Sequence, residues 1–269
     1  MQINSFTPQP AIGSVYLVGA GPGDAELLTL KAYRLIQSAE VILYDYLVSD
    51  EIRALFPCSA NAVYVGKKCG VHSMTQAQIC ATISDHALQG KQVVRLKGGD
   101  PSVFARVAEE IEHLTQLNIP FAIIPGITAA SGCAAYSGFP LTHRECAHGV
   151  RFVTAQFQYQ EQQAQWQELA LSQDTIVFYM GSTRLHTIAT QLIAHGKPAS
   201  TPLAIIDKGT SSQQKTVTLT LADIAQDSNT ALPFTLTGPT LIIIGEVVNY
   251  RSVIEKSLLH SQQQMWLTA

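Results

Sequence analysis

Short strand-like runs alternate with helical patterns along the first half of this chain. Apolar runs at 14–18, 41–44, 62–65, 93–96 and 121–124 predict strands, and periodic apolar residues predict helices over 27–38, 75–89 and 103–117. Strands joined through helices pair in parallel, and helices then cover the sheet. The alternation therefore predicts an α/β fold with a mainly parallel sheet.

The pattern changes after about residue 148. A Gln-rich stretch occupies 156–167, and residues 216–220 alternate polar and apolar side chains as a half-exposed strand does. We therefore expect a second α/β domain with a mixed sheet. The predicted domains are 13–147 and 148–252.

Composition limits the kinds of partner. The 269 residues are 46% hydrophobic and 14% charged, with a formal net charge of −3, which predicts a substantial core and gives no basic field for nucleic acid or for a membrane surface. The apolar runs are strand-sized, and residues 1–10 lack the features of a secretory signal. Five cysteines without a Cys-x-x-Cys pair are typical of reduced thiols. We expect a cytoplasmic protein.

A glycine turn follows the predicted strand at 93–96. Gly98 and Gly99 let the backbone approach a ligand, Asp100 offers a carboxylate, and Pro101 suits the start of a helix. Open α/β sheets bind ligands at such turns. An ordinary βα turn without a ligand is the alternative interpretation.

A second glycine turn, at 19–24, follows the first predicted strand. A dinucleotide fingerprint would require glycine where Asp24 stands, and Pro22 removes a backbone donor that a pyrophosphate would need. Asp24 would also repel a phosphate at a helix N-terminus. A ligand without phosphates fits both turns better, and S-adenosylmethionine is such a ligand.

Taken together, these segments resemble the tetrapyrrole methyltransferases, and among them the uroporphyrinogen-III C-methyltransferases. The likeness extends from about residue 14 to about residue 250. Each segment alone is a weak signal, and the specificity comes from the order of the segments along the chain. The matching segments are 18–24, 27–32, 44–45, 47–49, 65–67, 72–73, 95–101, 125–129, 140–144, 178–181, 208–210 and 245–248.

The resemblance implies two α/β domains with the active site in the cleft between them, and a homodimer. It also implies methylation of uroporphyrinogen III at C2 and C7, through precorrin-1 to precorrin-2, on the path to sirohaem or cobalamin, with S-adenosylmethionine as methyl donor. Asp45 occupies the position of the proton acceptor and Lys67 that of the proton donor. The positions that match the cofactor-binding residues are Pro22, Gly98, Gly99, Asp100, Val103, Thr128, Ala129, Met180 and Gly209.

The chemistry fits these residue types. An electron-rich pyrrole carbon needs no activated Ser or Cys to accept a methyl group, and a carboxylate such as Asp45 can then remove the ring proton. The substrate carries eight carboxylates, and cations in the matching motifs suit them. We expect Lys97, Arg106, His143 and Arg144 to bind the substrate. No metal is expected, because His72 and His143 lack metal-ligand spacing.

Simpler roles remain open for three of these residues. Asp45 could cap the next helix, Lys67 could be a solvated loop cation, and Met180 could fill the core.

The chain departs from the family pattern at Tyr46, at Ser102, at three positions where the family has glycine (Ala105, Val107 and Ala108), and at Ala155-Gln156. These departures concern the substrate side and the domain junction more than the cofactor turns. Two other functions therefore stay open: methylation of a later corrin intermediate, and binding of tetrapyrrole or S-adenosylmethionine by a catalytically weak relative.

Overall fold

The computed structural model describes residues 11–66, 74–156, 162–226, 232–251 and 259. The chain divides into two compact units between Thr128 and Ala129. Each unit contains a five-stranded sheet and its own helices.

The sheet of the first unit is entirely parallel. Its neighbouring strands follow the order β3-β2-β4-β1-β5, and every pair is parallel. The carboxyl ends of all five strands therefore lie at one edge of the sheet, as the alternation in the sequence predicts. The strands are β1 (Val15–Gly19), β2 (Val41–Tyr44), β3 (Asn61–Tyr64), β4 (Val93–Lys97) and β5 (Phe121–Ile124).

Helices cover both faces of this sheet. Ala32 and Ile36 of α1, with Ile52 of α2, share one apolar cluster with side chains of β2 and β4. Ile83 of α3 and Leu114 of α4 belong to a second cluster on the other face. The helices are α1 (Leu30–Ser38), α2 (Asp50–Arg53), α3 (Gln76–Leu88) and α4 (Val107–Gln116), with a 3₁₀ turn at Ala25–Leu27.

The neighbouring strands β1 and β4 send their following helices to opposite faces. The chain leaves β1 for α1, which belongs to one apolar cluster, and leaves β4 for α4, which belongs to the other. The two loops separate at the carboxyl ends of adjacent strands, and such a switch point is where open α/β sheets bind ligands. Both glycine turns lie there.

The second unit contains a mixed sheet, which confirms the prediction from the sequence. Neighbouring strands follow the order β6-β7-β10-β8-β9; β6 and β7 pair in parallel, and the other pairs are antiparallel. Two 3₁₀ turns occupy Ser182–Arg184 and Glu246–Tyr250. The strands are β6 (Val150–Thr154), β7 (Thr175–Tyr179), β8 (Pro202–Asp207), β9 (Lys215–Thr220) and β10 (Thr240–Ile244), and the helices are α5 (Ala129–Ser137), α6 (Gln162–Leu171), α7 (Leu185–Ala194) and α8 (Leu221–Ala225).

Helix α5 belongs to the second unit, so the units divide earlier than the boundary expected at 147/148. Ala130, Cys133 and Ala134 of α5 pack in one apolar cluster with Val177 of β7 and Ile243 of β10. Small residues occur on all sides of this helix, so its sequence shows no apolar face from which its packing could be predicted.

Helix α4 begins at Val107, four residues after the predicted start at 103. Phe104 and Arg106 have φ angles of 51° and 55°, in the left-handed region, which a right-handed helix does not allow. The segment between the glycine turn at 98–100 and α4 is therefore a loop.

Candidate active site

The two glycine turns are hydrogen-bonded to each other. The N–H of Gly21 donates to the carbonyl oxygen of Gly99 at 3.1 Å, and the N–H of Gly99 donates to the carbonyl oxygen of Gly21 at 2.7 Å. Their φ angles are 72° and 70°, which glycine adopts without strain. The loops that follow β1 and β4 therefore form one backbone unit at the switch point.

The loop after β5 packs against the same unit. A Cβ on Gly126 would lie 2.4 Å from the carbonyl oxygen of Gly99, and a Cβ on Gly19 would lie 2.5 Å from the nitrogen of Gly126. Three chain segments thus meet with backbone against backbone, which side chains at these glycines would prevent.

The Asp100 carboxylate holds two of these loops together. Its Oδ2 accepts from the N–H of Gly126 at 2.9 Å, and its Oδ1 accepts from the N–H of Ser102 at 2.8 Å. The Ser102 hydroxyl also bonds to Oδ1. Ser102, a departure from the family pattern, therefore supports the turn that Asp100 organises.

Asp45 follows β2 at the same edge of the sheet. Its Oδ1 accepts from the N–H of Leu47 at 3.1 Å, and its Oδ2 accepts from Nη2 of Arg95 at 3.0 Å. The next helix, α2, is capped instead by Ser49, whose Oγ accepts from the N–H of Ile52 at 3.3 Å. The side chain of Asp45 is 24% exposed, so its carboxylate is open to a ligand.

A buried charged cluster lies next to Asp45. Glu110 of α4 accepts through Oε1 from Nε of Arg95 at 3.3 Å and from Nζ of Lys97 at 2.7 Å. Burial lowers the pKa of Lys97, the positive charge of Arg95 lowers it further, and Glu110 opposes both effects. Because Lys97 is buried and paired with Glu110, its placement differs from the expectation that it binds substrate carboxylates.

The other predicted substrate-binding cations are accessible. Arg106 donates to both carboxylate oxygens of Glu109, at 2.7 and 2.6 Å, and this hydrogen bonding raises the pKa of Arg106. His143 stacks on Tyr250 with ring centroids 4.3 Å apart. The side chain of Arg144 is 89% exposed. Arg106 belongs to the first unit, and His143 and Arg144 belong to the second.

The second unit carries two of the predicted cofactor positions in loops after strands. Met180 follows β7, has a φ of 57° and is 47% exposed, so it does not fill the core. Gly209 follows β8, and a Cβ on it would lie 2.1 Å from Sγ of Cys133. The N–H of Thr210 donates to Oε1 of Gln214 at 2.6 Å, which ties this loop to the start of β9.

Left-handed backbone is concentrated in the loops that carry the candidate residues. In the described part of the chain, six non-glycine residues have a clearly positive φ, and Asn118 alone lies outside these loops. Such conformations cost of order 1–3 kcal/mol each and are typical of functional loops. The other five are Phe104, Arg106, Met180, Lys208 and Thr210.

The remaining predicted positions are accounted for as follows. Pro22, Val103, Thr128 and Ala129 are half-buried in the loops that follow β1, β4 and β5 or at the start of α5. Lys67 lies outside the described residues.

Among the described residues, no cluster of three or more His, Cys, Asp or Glu side chains is arranged to hold a metal ion. None of the described helices is both long enough and apolar enough to span a membrane.

Sequence reasoning missed Glu110. It lies between Val107 and Leu114 at the helical spacing that marks the buried face of α4, and it is 1% exposed. A carboxylate at an apolar-face position needs a buried cation. That spacing, together with Arg95 and Lys97 on the preceding strand, was the signal that could have identified Glu110 as the partner of these two cations.

Comparison with known proteins identifies the family. The family of Tetrapyrrole (Corrin/Porphyrin) Methylases matches residues 14–225. The chain belongs to the tetrapyrrole methylase family. This membership confirms the resemblance on which the predicted roles of the two glycine turns rest.

Solved structures of tetrapyrrole methylases share this fold. A uroporphyrin III C-methyl transferase from Thermus thermophilus is 38% identical, with a TM-score of 0.75 over 88% of this chain and 99% of that one. The same kind of enzyme complexed with S-adenyl homocysteine is 38% identical, with a TM-score of 0.73 over 88% and 93% of the two chains. The cobalt precorrin-4 methyltransferase is 27% identical, with a TM-score of 0.75 over 87% and 95%.

Curated relatives of this tetrapyrrole methylase are longer proteins. Siroheme synthase 2 of Serratia proteamaculans is 50% identical over 93% of this chain and 52% of its own length. Siroheme synthase of Pseudomonas fluorescens is 50% identical over 92% of this chain and 53% of its own length. The chain thus spans about half the length of the curated relatives it matches.

Proposed function

We propose that this protein transfers methyl groups from S-adenosylmethionine to uroporphyrinogen III, at C2 and then C7, and so makes precorrin-2. The observation that carries the proposal is the bridge between Gly21 and Gly99 at the switch point of a parallel sheet, with the open carboxylate of Asp45 at the same edge. Family membership and the likeness to uroporphyrin III C-methyl transferases support it.

The glycine bridge fits S-adenosylmethionine. It presents half-buried backbone at Gly98 and Gly99 rather than a row of N–H donors for phosphates, and Asp100 adds negative charge there, which suits a cationic ligand. When bound, S-adenosylmethionine supplies an electrophilic methyl group on a sulfonium. The proposed contacts are Pro22, Gly98, Gly99, Asp100, Val103, Thr128, Ala129, Met180 and Gly209.

Asp45 is the proposed proton acceptor. A pyrrole ring that has gained a methyl group at carbon carries a positive charge until it loses a proton. The electron pair of the broken bond returns to the ring, and the proton passes to a carboxylate oxygen of Asp45. Both oxygens already accept one hydrogen bond each, which fixes the carboxylate while leaving lone pairs for the proton. Lys67 is proposed as proton donor because of its position in the family motif.

The substrate carboxylates are proposed to bind the accessible cations. Arg106 can exchange its contact with Glu109 for a substrate carboxylate of the same geometry, because both carboxylates accept two parallel hydrogen bonds. His143 and Arg144 are the proposed contacts from the second unit. A cytoplasmic location and a homodimer remain proposals from the family resemblance.

Exchange of Asp45 for asparagine tests the proposed base. We expect Asp45→Asn to lower kcat for methyl transfer by about 100-fold or more, since that is the usual contribution of a positioned general base. Affinity for S-adenosylhomocysteine, measured by calorimetry, should stay near wild type. The matched control is Asp50→Asn, because the Asp50 side chain is 89% exposed and pairs with Arg53. Full activity of Asp45→Asn would refute the role of this carboxylate.

A further inference from the structure

Four charged side chains form one network that reaches the surface at a single point. The side chains of Arg95, Lys97 and Glu110 are 5%, 4% and 0% exposed, whereas Asp45 is 24% exposed. Replacing buried ion pairs by apolar residues is often neutral or even stabilising. Stability alone therefore does not explain why this core contains three buried charges, and the position of Asp45 at its open end suggests a functional reason.

The guanidinium of Arg95 is held at three positions. Its Nε donates to Oε1 of Glu110 at 3.3 Å, its Nη1 donates to the carbonyl oxygen of Leu96 at 2.8 Å, and its Nη2 donates to Oδ2 of Asp45 at 3.0 Å. Because a guanidinium is planar and rigid, fixing Nε also fixes the direction of Nη2. The orientation of Glu110 is thus passed to the carboxylate of Asp45.

Glu110 is itself fixed by three donors. Its Oε1 accepts from Arg95, from Nζ of Lys97 at 2.7 Å and from Nε2 of Gln76 at 3.4 Å. Its Oε2 has no hydrogen-bond partner among the described residues. One oxygen therefore joins α3, β4 and α4. The negative charge of Glu110 offsets one of the two cations, so the charge of Asp45 has only one further cation to offset.

We infer that Glu110 is a positioning residue for proton removal, acting through Arg95 to fix the carboxylate of Asp45. This inference rests on the proposed function, since it assigns a supporting residue to the proposed base. Without the Glu110 carboxylate, Nε of Arg95 loses the charged acceptor that fixes it, whether or not Lys97 remains. The guanidinium is then free to turn, and the Asp45 carboxylate that accepts from its Nη2 turns with it.

The test compares two variants and one control in methyl transfer to uroporphyrinogen III. Glu110→Gln removes the charge, and Glu110→Gln with Lys97→Met removes one buried charge of each sign, so the double variant keeps the buried charge balanced if the single variant does not fold. The matched control is Glu112→Gln, since Glu112 is exposed on the same helix. KM for each substrate, kcat and thermal midpoints are measured for all of them.

We expect kcat of both Glu110 variants to fall about tenfold or more, a part of what a positioned base contributes. KM for S-adenosylmethionine should change less than twofold, because the glycine bridge is untouched, and Glu112→Gln should match wild type. A crystal structure of the double variant should show the Asp45 carboxylate turned from its present direction. A folded double variant with wild-type kcat would overturn the inference, because Glu110 would then merely balance Lys97. A wild-type protein that transfers no methyl group would instead overturn the proposed function.

Discussion

At the scale of single residues, one added atom at Gly209 would collide with a neighbouring side chain. A Cβ there would lie 2.1 Å from Sγ of Cys133 and 3.4 Å from its Cβ. Burial raises the pKa of Cys133 to about 12, so its thiol stays neutral and packs as an apolar group. The resemblance identified Gly209 as a cofactor position, but the sequence could not show that α5 lies against its loop.

A smaller residue at position 133 should therefore offset the loss of stability that alanine at position 209 causes. We expect Gly209→Ala to reduce the free energy of unfolding by about 1–3 kcal/mol, as overpacking does. Adding Cys133→Ala should restore much of that loss, because the remaining Cβ contact of 3.4 Å is ordinary. Urea unfolding of both variants and of Cys133→Ala alone measures this. A double variant no more stable than Gly209→Ala would show that the thiol is not the obstacle.

At the scale of elements, an ion pair ties β6 to the segment before β7. Nε of Arg151 donates to Oδ2 of Asp174 at 2.9 Å, and Oγ of Ser172 accepts from the N–H of Asp174 at 3.1 Å. The hydrogen bond from Arg151 is the main cause that holds the pKa of Asp174 below its usual range. Such a carboxylate contributes stability above its pKa in the unfolded chain, and this contribution is lost as pH falls through its lower pKa in the folded state.

Asp174→Asn should accordingly reduce stability in a pH-dependent way. At pH 6 we expect the variant to be less stable than wild type by about 0.5–1 kcal/mol, since the pair is partly exposed. The difference should shrink as pH falls below about 4, where the unfolded aspartate takes up its proton. Urea unfolding between pH 3 and pH 7 measures it, with the exposed Asp85→Asn as control. A constant difference across this range would contradict the assigned cause.

The same scale shows how far the sequence predicts the elements. The runs at 41–44 and 121–124 are strands with the predicted bounds, because apolar, β-branched residues bounded by polar or turn residues favour a strand. Two placements needed the structure. The left-handed Phe104 and Arg106 delay α4, and α5 packs on the second sheet. Both depend on contacts or backbone angles that no local pattern encodes.

The sequence predicted the positions that follow from the backbone topology, and it predicted the side-chain interactions of the candidate site less well. The glycines and Asp45 follow strands, and parallel strands bring their carboxyl ends to one edge, so their convergence follows from topology. The interaction of Asp100 with Gly126 and of Glu110 with Arg95 depends on loop and helix placement, which spacing alone does not give.

At the scale of the whole molecule, the chain proposed to transfer methyl groups spans about half the length of its curated relatives. Its length agrees better with the Thermus thermophilus enzyme, 99% of which it covers. The first unit contains the glycine bridge and Asp45, and the second unit contains Met180 and Gly209 in the loops after β7 and β8. The central proposal is that this chain methylates one macrocycle twice.

Counting methyl groups tests that claim most directly. The 269-residue protein is incubated without oxygen with uroporphyrinogen III and methyl-labelled S-adenosylmethionine, and the product is analysed by mass spectrometry. We predict two labelled methyl groups per macrocycle, with a singly methylated species as the intermediate. Tight binding of S-adenosylmethionine without any methyl transfer to uroporphyrinogen III would contradict the account.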